Sequence, residues 1–374
     1  MENKICVYAI CKNESKFVDT WVESMKEADS IVVLDTGSTD DTVEKLKKYP
    51  FVRVEQKILS PWRFDEGRNE SLKLVPDDCN ILVCTDLDEV LEPGWAEPLR
   101  QSWIDGVHER CTYKYAWSHT DSGEPGRIFA YNKIHSRNWM WKHPVHELLY
   151  NIKTNTDKYD INESLNLWDK IYLHHYPDHT KSRSSYLPLL KLRAKEDPND
   201  YYGLIYLAHE YTYQYMYEES INTLKYILKT FSDKIDSTEK ASCYLFMGDA
   251  YNKLNDKNSA IKSYIDALYT DETYREPYIN LAKVYMEIKD WSMAISYLKE
   301  GIKKSYRHYS WLERDTSWTY EPWDMLAISS FYNGDKNESL AYAAKALSYD
   351  KNNDHLIFNF DIILKMSTDI DLLK

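Results

Sequence analysis

The chain has 374 residues, 43% of them hydrophobic, and a formal net charge of -13. This length predicts two domains, each large enough for its own core. The negative charge, which no basic stripe offsets, argues against nonspecific binding to nucleic acid or anionic membranes. The six cysteines show no CxxC pair, and neither a signal peptide nor a membrane-spanning apolar run is visible. We therefore expect a cytoplasmic protein with no integral membrane span.

The first half of the chain alternates between strand-like and helix-like segments. Three apolar runs are of strand type: 4–11, 30–35 and 51–57. Each run is followed by a helix-like stretch, and apolar residues at helical spacing mark the first two stretches, at 17–25 and 43–49. This alternation predicts a parallel sheet built from βαβ units. We expect the polar segments after the strands to meet as loops at one edge of the sheet, where α/β proteins bind ligands: 35–40, 62–69 and 86–89.

A fourth apolar strand runs into Asp86, Leu87, Asp88 and Glu89. Because Asp86 and Asp88 lie two positions apart, their side chains leave an extended backbone on the same face, while Leu87 points back into the protein. Two carboxylates on one face suit Mg²⁺ or Mn²⁺. A short acidic pair after a strand is more often a solvated turn, so this motif alone predicts a metal site only weakly.

Several segments resemble a known enzyme family in order and spacing. Four of them resemble the nucleotide-sugar half of family 2 glycosyltransferases, which are inverting enzymes of the GT-A fold: 11–14, 33–42, 65–70 and 85–89. Three later ones resemble the acceptor half of one subgroup: 127–129, 145–147 and 174–176. The resemblance covers about residues 4–195 and implies an α/β GT-A domain over residues 1–195, with a mixed, mainly parallel sheet.

The resemblance also implies a ligand set. The donor would be a nucleotide-diphosphate sugar, with a UDP-sugar expected, and the cofactor Mn²⁺ or Mg²⁺. The residues implied for donor binding are Asn13, Glu14, Asp35, Gly37, Ser38, Asp40, Arg68, Asp86 and Leu87. The implied metal ligands are Asp86, Asp88 and His175. The subgroup's H-x-G is here His175-Tyr176-Pro177, and the neighbouring His174 leaves open which imidazole faces the metal.

For catalysis, inversion by direct displacement requires a carboxylate that takes the acceptor's proton. The resemblance makes Glu147 the leading base and Asp121 its rival. Each singled-out residue also has a structural interpretation. The His146-Glu147 pair could be a buried polar pair, and Arg68 a surface salt bridge rather than a phosphate ligand. Three tryptophans could stack on sugars, although such residues are usually core: Trp117, Trp139 and Trp141.

From about residue 181 the pattern becomes helical. Tyr251 and Tyr285 lie 34 positions apart within two copies of a motif that resembles the tetratricopeptide repeat, with small residues where helices meet. We therefore expect an all-α helical-repeat domain over residues 196–374. It could grip an extended peptide or pair two chains as a homodimer. An insertion at 303–321, rich in Tyr, Trp and Arg, suits an interface or a packed loop.

Together these features predict a metal-dependent inverting glycosyltransferase, of hexosyltransferase type, that acts on a protein, peptide or saccharide acceptor. One alternative is a repeat-based binding protein whose transferase domain is inactive. A third possibility, a nucleotidyltransferase, would release pyrophosphate in place of UDP.

Overall fold

The computed structural model describes residues 2–119, 123–157, 161–308 and 314–368. The chain divides into two compact units at Pro198 and Asn199. The first unit is an α/β structure and the second is helical.

Strands and helices alternate in the first half of the α/β unit. In chain order they are β1 (Ile5–Cys11), α1 (Val18–Met25), β2 (Ser30–Asp35), α2 (Thr42–Leu46), β3 (Val52–Gln56), α3 (Phe64–Leu72), β4 (Ile81–Cys84), β5 (Glu89–Leu91) and α4 (Ala96–Ser102). Strands then predominate: β6 (Arg110–Ala116), β7 (Ile128–His135), β8 (Trp139–Lys142), β9 (Leu148–Asn151), β10 (Ser164–Asn166) and β11 (Tyr172–His175), followed by α5 (Tyr186–Glu196).

Most of these strands form one mixed sheet, in the order β3-β2-β1-β4-β7-β6-β11-β5, with β10 beside β6. Strands β3, β2, β1 and β4 run parallel to one another, whereas β7 is antiparallel to both of its neighbours. Strands β8 and β9 pair separately. The predicted mixed, mainly parallel sheet is confirmed. Because β1, β2 and β4 are parallel, the segments that follow Cys11, Asp35 and Cys84 emerge at one edge.

The core of this unit explains why the strands are continuously apolar. Every residue of β1 is buried, since helices cover a parallel sheet on its faces. Trp21 of α1 packs in the same cluster as Trp95, close to the start of α4. One predicted loop was wrong: the segment 62–69 becomes helical at Phe64. Asp65 and Glu66 occupy the first turn of α3, where acidic side chains stabilise a helix.

The second unit consists of antiparallel helical hairpins. Its helices are α6 (Tyr201–Tyr213), α7 (Tyr217–Thr230), α8 (Ser237–Lys253), α9 (Lys257–Thr270), α10 (Glu276–Glu287), α11 (Trp291–Ile302), α12 (Glu321–Asn333), α13 (Lys336–Tyr349) and α14 (Asp354–Thr368). Asp256 and Asp290 cap the second helices of two successive hairpins in the same way, each accepting a hydrogen bond from a backbone amide three residues on. The predicted helical-repeat architecture is confirmed.

Small residues let the paired helices approach closely. A Cβ atom added to Gly248 of α8 would lie 2.5 Å from the Tyr264 ring of α9. Ala260 and Ala267 on α9 are fully buried in the same cluster. In the described part of the chain, no helix combines the length and the apolar character that a membrane span requires.

Candidate active site

Charged side chains cluster just beyond the carboxyl end of β4. Nη1 of Arg68 lies 3.0 Å from Oδ1 of Asp86, and Nζ of Lys133 lies 3.3 Å from Oδ2. Burial raises the pKa of Asp86, but the positive charges of Arg68 and Lys133 outweigh this effect and hold the pKa well below its usual range. Asp86 is therefore anionic at neutral pH.

Arg68, which comes from α3, links Asp86 to a second carboxylate. Its Nε donates to Oε1 of Glu147 at 2.7 Å, and its side chain is only 6% exposed. Two carboxylates thus engage this guanidinium. A donor phosphate at Arg68 would share the guanidinium with these two carboxylates.

The turn that carries Glu147 has a constrained backbone. His146 has a φ of 52°, a left-handed conformation that costs a non-glycine residue about 1 kcal/mol or more. The buried Arg193 of α5 donates from Nη1 to the carbonyl oxygens of Val145, at 3.1 Å, and His146, at 2.6 Å. Helix α5 therefore holds the backbone turn from which the Glu147 side chain projects.

Asp88 faces one of the two neighbouring histidines. Nε2 of His175 lies 3.5 Å from Oδ2 of Asp88, and its Nδ1 lies 3.0 Å from the carbonyl oxygen of Trp117. His174 instead contacts His119, at 2.9 Å, and Glu92, at 3.0 Å. The two imidazoles diverge because adjacent residues of a strand point to opposite faces.

The Asp88–His175 pair has the chemistry of a divalent metal site. A carbonyl that accepts from Nδ1 orients the imidazole so that Nε2 can bind a metal, as is usual for metal-bound histidines. Asp86, the third predicted ligand, is engaged by Arg68 and Lys133. No group of three or more His, Cys, Asp or Glu side chains in the described residues is arranged to hold a metal ion. The pair therefore fits an ion such as Mn²⁺ only if phosphate or water oxygens complete its coordination.

Asp35 organises the loop after β2. Its Oδ1 accepts hydrogen bonds from the backbone amides of Gly37, at 3.2 Å, and Ser38, at 3.1 Å, while Oδ2 accepts from the Ser38 hydroxyl. Gly37 has a φ of +110°, which only glycine adopts without strain. The carboxylate is fully buried, so its first role here is to shape the loop.

Asn13, Ser38 and Asp40 join the loops that follow β1 and β2. The backbone amide of Asn13 donates to Oγ of Ser38 at 2.8 Å, and Oδ1 of Asn13 accepts from the amide of Thr39 at 2.7 Å. Asp40 accepts from the amide of Ser15 at 3.3 Å. These predicted donor-binding residues are brought together as the frame of one double loop.

Glu14, in the same double loop, is electrostatically unusual. Burial raises the pKa of this carboxyl to about 7; an ion pair with Lys181 lowers it, and the charges of Asp88 and Asp86 raise it. A carboxyl that titrates near neutral pH can serve as a general base. Glu14 was predicted only as a donor contact, and its basicity arises from burial that sequence patterns do not reveal.

The structure adds two residues that sequence reasoning did not assign. Lys133 of β7 lies 3.3 Å from Asp86 and 3.7 Å from Glu89. Glu89 is 1% exposed and accepts hydrogen bonds from the Asp86 amide and the Tyr115 hydroxyl, each at 2.9 Å. The signal available for Lys133 was a lysine in a strand that also carries Ile128, Phe129 and Ile134.

The remaining residues that the sequence singled out take little or no part in this cluster of charged side chains. Leu87 is 1% exposed in the core, so only its main chain can meet a donor. Trp139 and Trp141 are buried, whereas Trp117 is 43% exposed, with its ring centroid 4.7 Å from that of His175. Asp121, the rival base, lies outside the described residues.

Comparisons with known families find matches to two separate segments of the chain. Residues 6–153 match Glycosyl transferase family 2, and residues 241–274 match the Tetratricopeptide repeat family. The chain thus contains a family 2 glycosyltransferase domain followed by tetratricopeptide repeats.

Solved structures of other proteins resemble part of the chain. One is the MamA protein, at 21% identity and a TM-score of 0.36, over 45% of this chain and 82% of that one. Another is TTC0263, a thermophilic TPR protein in Thermus thermophilus, at 20% identity and a TM-score of 0.37, over 48% of this chain and 90% of that one. A comparison with curated proteins found no match.

Proposed function

We propose that the protein is a metal-dependent inverting glycosyltransferase that moves a hexose from a UDP-sugar to a peptide, protein or saccharide acceptor. The observation that carries this proposal is the pairing of Asp88 with His175 beside the Arg68–Asp86–Glu147 cluster, at the sheet edge of a family 2 domain. This edge is where α/β proteins bind nucleotides.

Asp88 and His175 would hold the divalent ion. When bound, Mn²⁺ or Mg²⁺ neutralises charge that develops on the leaving diphosphate. Arg68 and Lys133 keep the neighbouring Asp86 carboxylate anionic and fixed, so that it can accept hydrogen bonds from donor hydroxyl groups. The double loop built on Asn13, Asp35 and Ser38 lies at the same edge, where it would contact the nucleotide.

In the reaction, a hydroxyl oxygen of the acceptor attacks the anomeric carbon while the bond to the diphosphate oxygen breaks on the opposite side. A carboxylate takes the proton of the attacking hydroxyl. We assign this role to Glu147, whose turn is fixed by Arg193 and whose carboxylate is oriented by Arg68. Glu14 is the alternative base, because its pKa of about 7 suits proton transfer at neutral pH.

The direct test is hydrolysis and transfer with a panel of UDP-sugars in the presence and absence of Mn²⁺. Release of UDP that requires Mn²⁺ supports the proposal. Release of pyrophosphate indicates a nucleotidyltransferase, and absence of turnover with every donor favours a binding protein with an inactive domain. Binding of the UDP-sugar itself is measured in parallel by thermal shift, since a ligand of the native state raises apparent stability.

For the repeats we propose a role in holding the acceptor. Such repeats bind extended segments along surfaces formed by successive hairpins. Pairing of two chains is the competing use, and light scattering distinguishes it by the mass of the protein in solution.

A further inference from the structure

An arginine of the insertion between α11 and α12 is bound like a ligand by the helical-repeat unit. The guanidinium of Arg314 forms an ion pair with Asp249 of α8 through Nη2. Its Nη1 donates to Oδ1 of Asn280 on α10 at 3.2 Å. One guanidinium thus contacts two successive hairpins.

The acceptors of this guanidinium are oriented by their neighbours. Oδ1 of Asp249 accepts from Nδ2 of Asn280 at 2.7 Å and from the hydroxyl of Tyr264 at 2.8 Å. These bonds leave Oδ2 of Asp249 and Oδ1 of Asn280 to face Arg314. A planar fork of N–H donors matches such a pair of fixed oxygens, whereas the compact ammonium of lysine does not.

The acceptors belong to the first helices of their hairpins. Helix α10 contacts both α8 and α12, and α8 contacts α6, so the first helices form a continuous layer. Repeat proteins offer such layers to extended partners. The Asp249–Asn280 pair therefore lies where one side chain of a partner would contact two successive repeats.

The insertion is held to the repeats at both of its ends. Arg275 donates from Nη2 to the carbonyl oxygen of Lys304 and from Nη1 to that of Ser317, the second at 3.2 Å. Its guanidinium carbon lies 3.9 Å from the centroid of the Trp318 ring. Arg314 is thus tethered beside its acceptors, at an effective concentration that reaches the millimolar range for short tethers.

We propose that Asp249, Asn280 and Tyr264 form an arginine-binding site of the repeat unit, which Arg314 fills as an internal ligand and which an arginine-bearing peptide can occupy in its place. The side chains of Arg314 and Asp249 are 30% and 20% exposed, so an incoming peptide can reach the ion pair from solvent. The inference does not depend on the transferase activity, because it concerns binding to the second unit alone.

The experiment measures binding of acetyl-Gly-Arg-Gly-amide to the full chain by isothermal titration calorimetry, with acetyl-Gly-Lys-Gly-amide as the matched control. The Arg314→Ala and Arg314→Lys variants should each bind the arginine peptide at least about tenfold more tightly than the wild-type chain, since the tethered competitor is gone. The lysine peptide should gain no more than about twofold, because it lacks the planar fork. Adding Asp249→Asn to either variant should abolish the gain.

Circular dichroism of each variant shows whether it is folded. The proposal is overturned if a folded Arg314 variant binds the arginine peptide no better than the wild type, or binds both peptides equally. It is also overturned if both variants fail to fold and millimolar methylguanidinium does not restore them, because a site for guanidinium must accept it from solution.

Discussion

Arg68 and Glu147 stand 79 positions apart in the sequence and are joined by a hydrogen bond of 2.7 Å between Nε and Oε1. The same guanidinium holds Asp86 through Nη1 at 3.0 Å. The proposed base and the carboxylate at the end of β4 therefore share one buried cation. Any change at Arg68 disturbs both sides of the candidate site together.

The first prediction concerns stability. Replacing Arg68 by Met should lower the free energy of unfolding by about 3–5 kcal/mol, because Asp86 and Glu147 lose the charge that compensates their burial. Urea denaturation measures this loss. The matched control is Arg53→Met, whose exposed pair with Glu55 should contribute less than about 1 kcal/mol. Equal effects of the two substitutions would contradict the structural role of Arg68.

The second prediction concerns the metal. Asp88→Asn should raise the Mn²⁺ concentration needed for half-maximal transfer by more than about tenfold, because one of the two proposed protein ligands loses its charge. The control, Asp78→Asn, removes a carboxylate from an exposed pair with Lys4 and should leave the Mn²⁺ dependence unchanged. A normal Mn²⁺ titration curve for Asp88→Asn would show that the metal is held elsewhere.

The third prediction separates the two candidate bases. Glu147→Gln should keep the affinity for UDP-sugar and reduce transfer by about a hundredfold or more, because the amide cannot take the acceptor's proton. Glu14→Gln serves as the matched variant. If Glu14→Gln alone suffers the hundredfold loss, the role of base passes from Glu147 to Glu14.

The fourth prediction concerns pH. The pKa of Glu14 rises from an ordinary 4.5 to about 7 on folding, so the folded protein binds a proton more tightly than the unfolded chain does. The free energy of unfolding contributed by this group therefore falls as the pH rises from about 4.5 to about 7. Between pH 5 and pH 8, the free energy of unfolding of Glu14→Gln should therefore rise by about 1–3 kcal/mol relative to that of the wild type. Solvent screening of the Glu14 charge makes this difference smaller. Parallel stability curves for the two proteins would contradict this.

A base role for Glu14 would add a kinetic signature. The value of kcat/KM for transfer should then increase with pH around pH 7, as the carboxyl loses its proton. A profile without that inflection, combined with the stability effect, leaves Glu147 as the base.

The fifth prediction concerns helix packing in the repeats. Gly248→Ala should destabilise the second unit by about 1–3 kcal/mol, because the new methyl group would meet the buried Tyr264 ring at 2.5 Å. Alanine is the better helix former by up to about 1 kcal/mol, which only partly offsets the clash. Thermal unfolding followed by circular dichroism measures the result. The control is Lys253→Ala at an exposed position of the same helix, which should change little.

Much of the fold was predictable because its signals are local. Apolar runs predicted β1, β2, β3 and β4, and apolar residues at helical spacing predicted α1 and α2. The small residues and tyrosines of the second half predicted stacked hairpins, since Gly248 has to make room for Tyr264 whichever partners surround them. The segment 62–69 was predicted as a loop, although a helix-like stretch was expected after the third strand, because its polar composition gave no apolar spacing to mark where α3 begins.

The sequence by itself determined the order and type of the elements. It also indicated which loops meet, because the carboxyl ends of parallel strands lie at the same edge of a sheet. Tertiary structure decided the partners. It turned His175 and not His174 toward Asp88, enclosed Arg68 between two carboxylates, and seated Arg314 on Asp249. Burial and charge pairing act between residues distant along the chain, so no local pattern of residues encodes them.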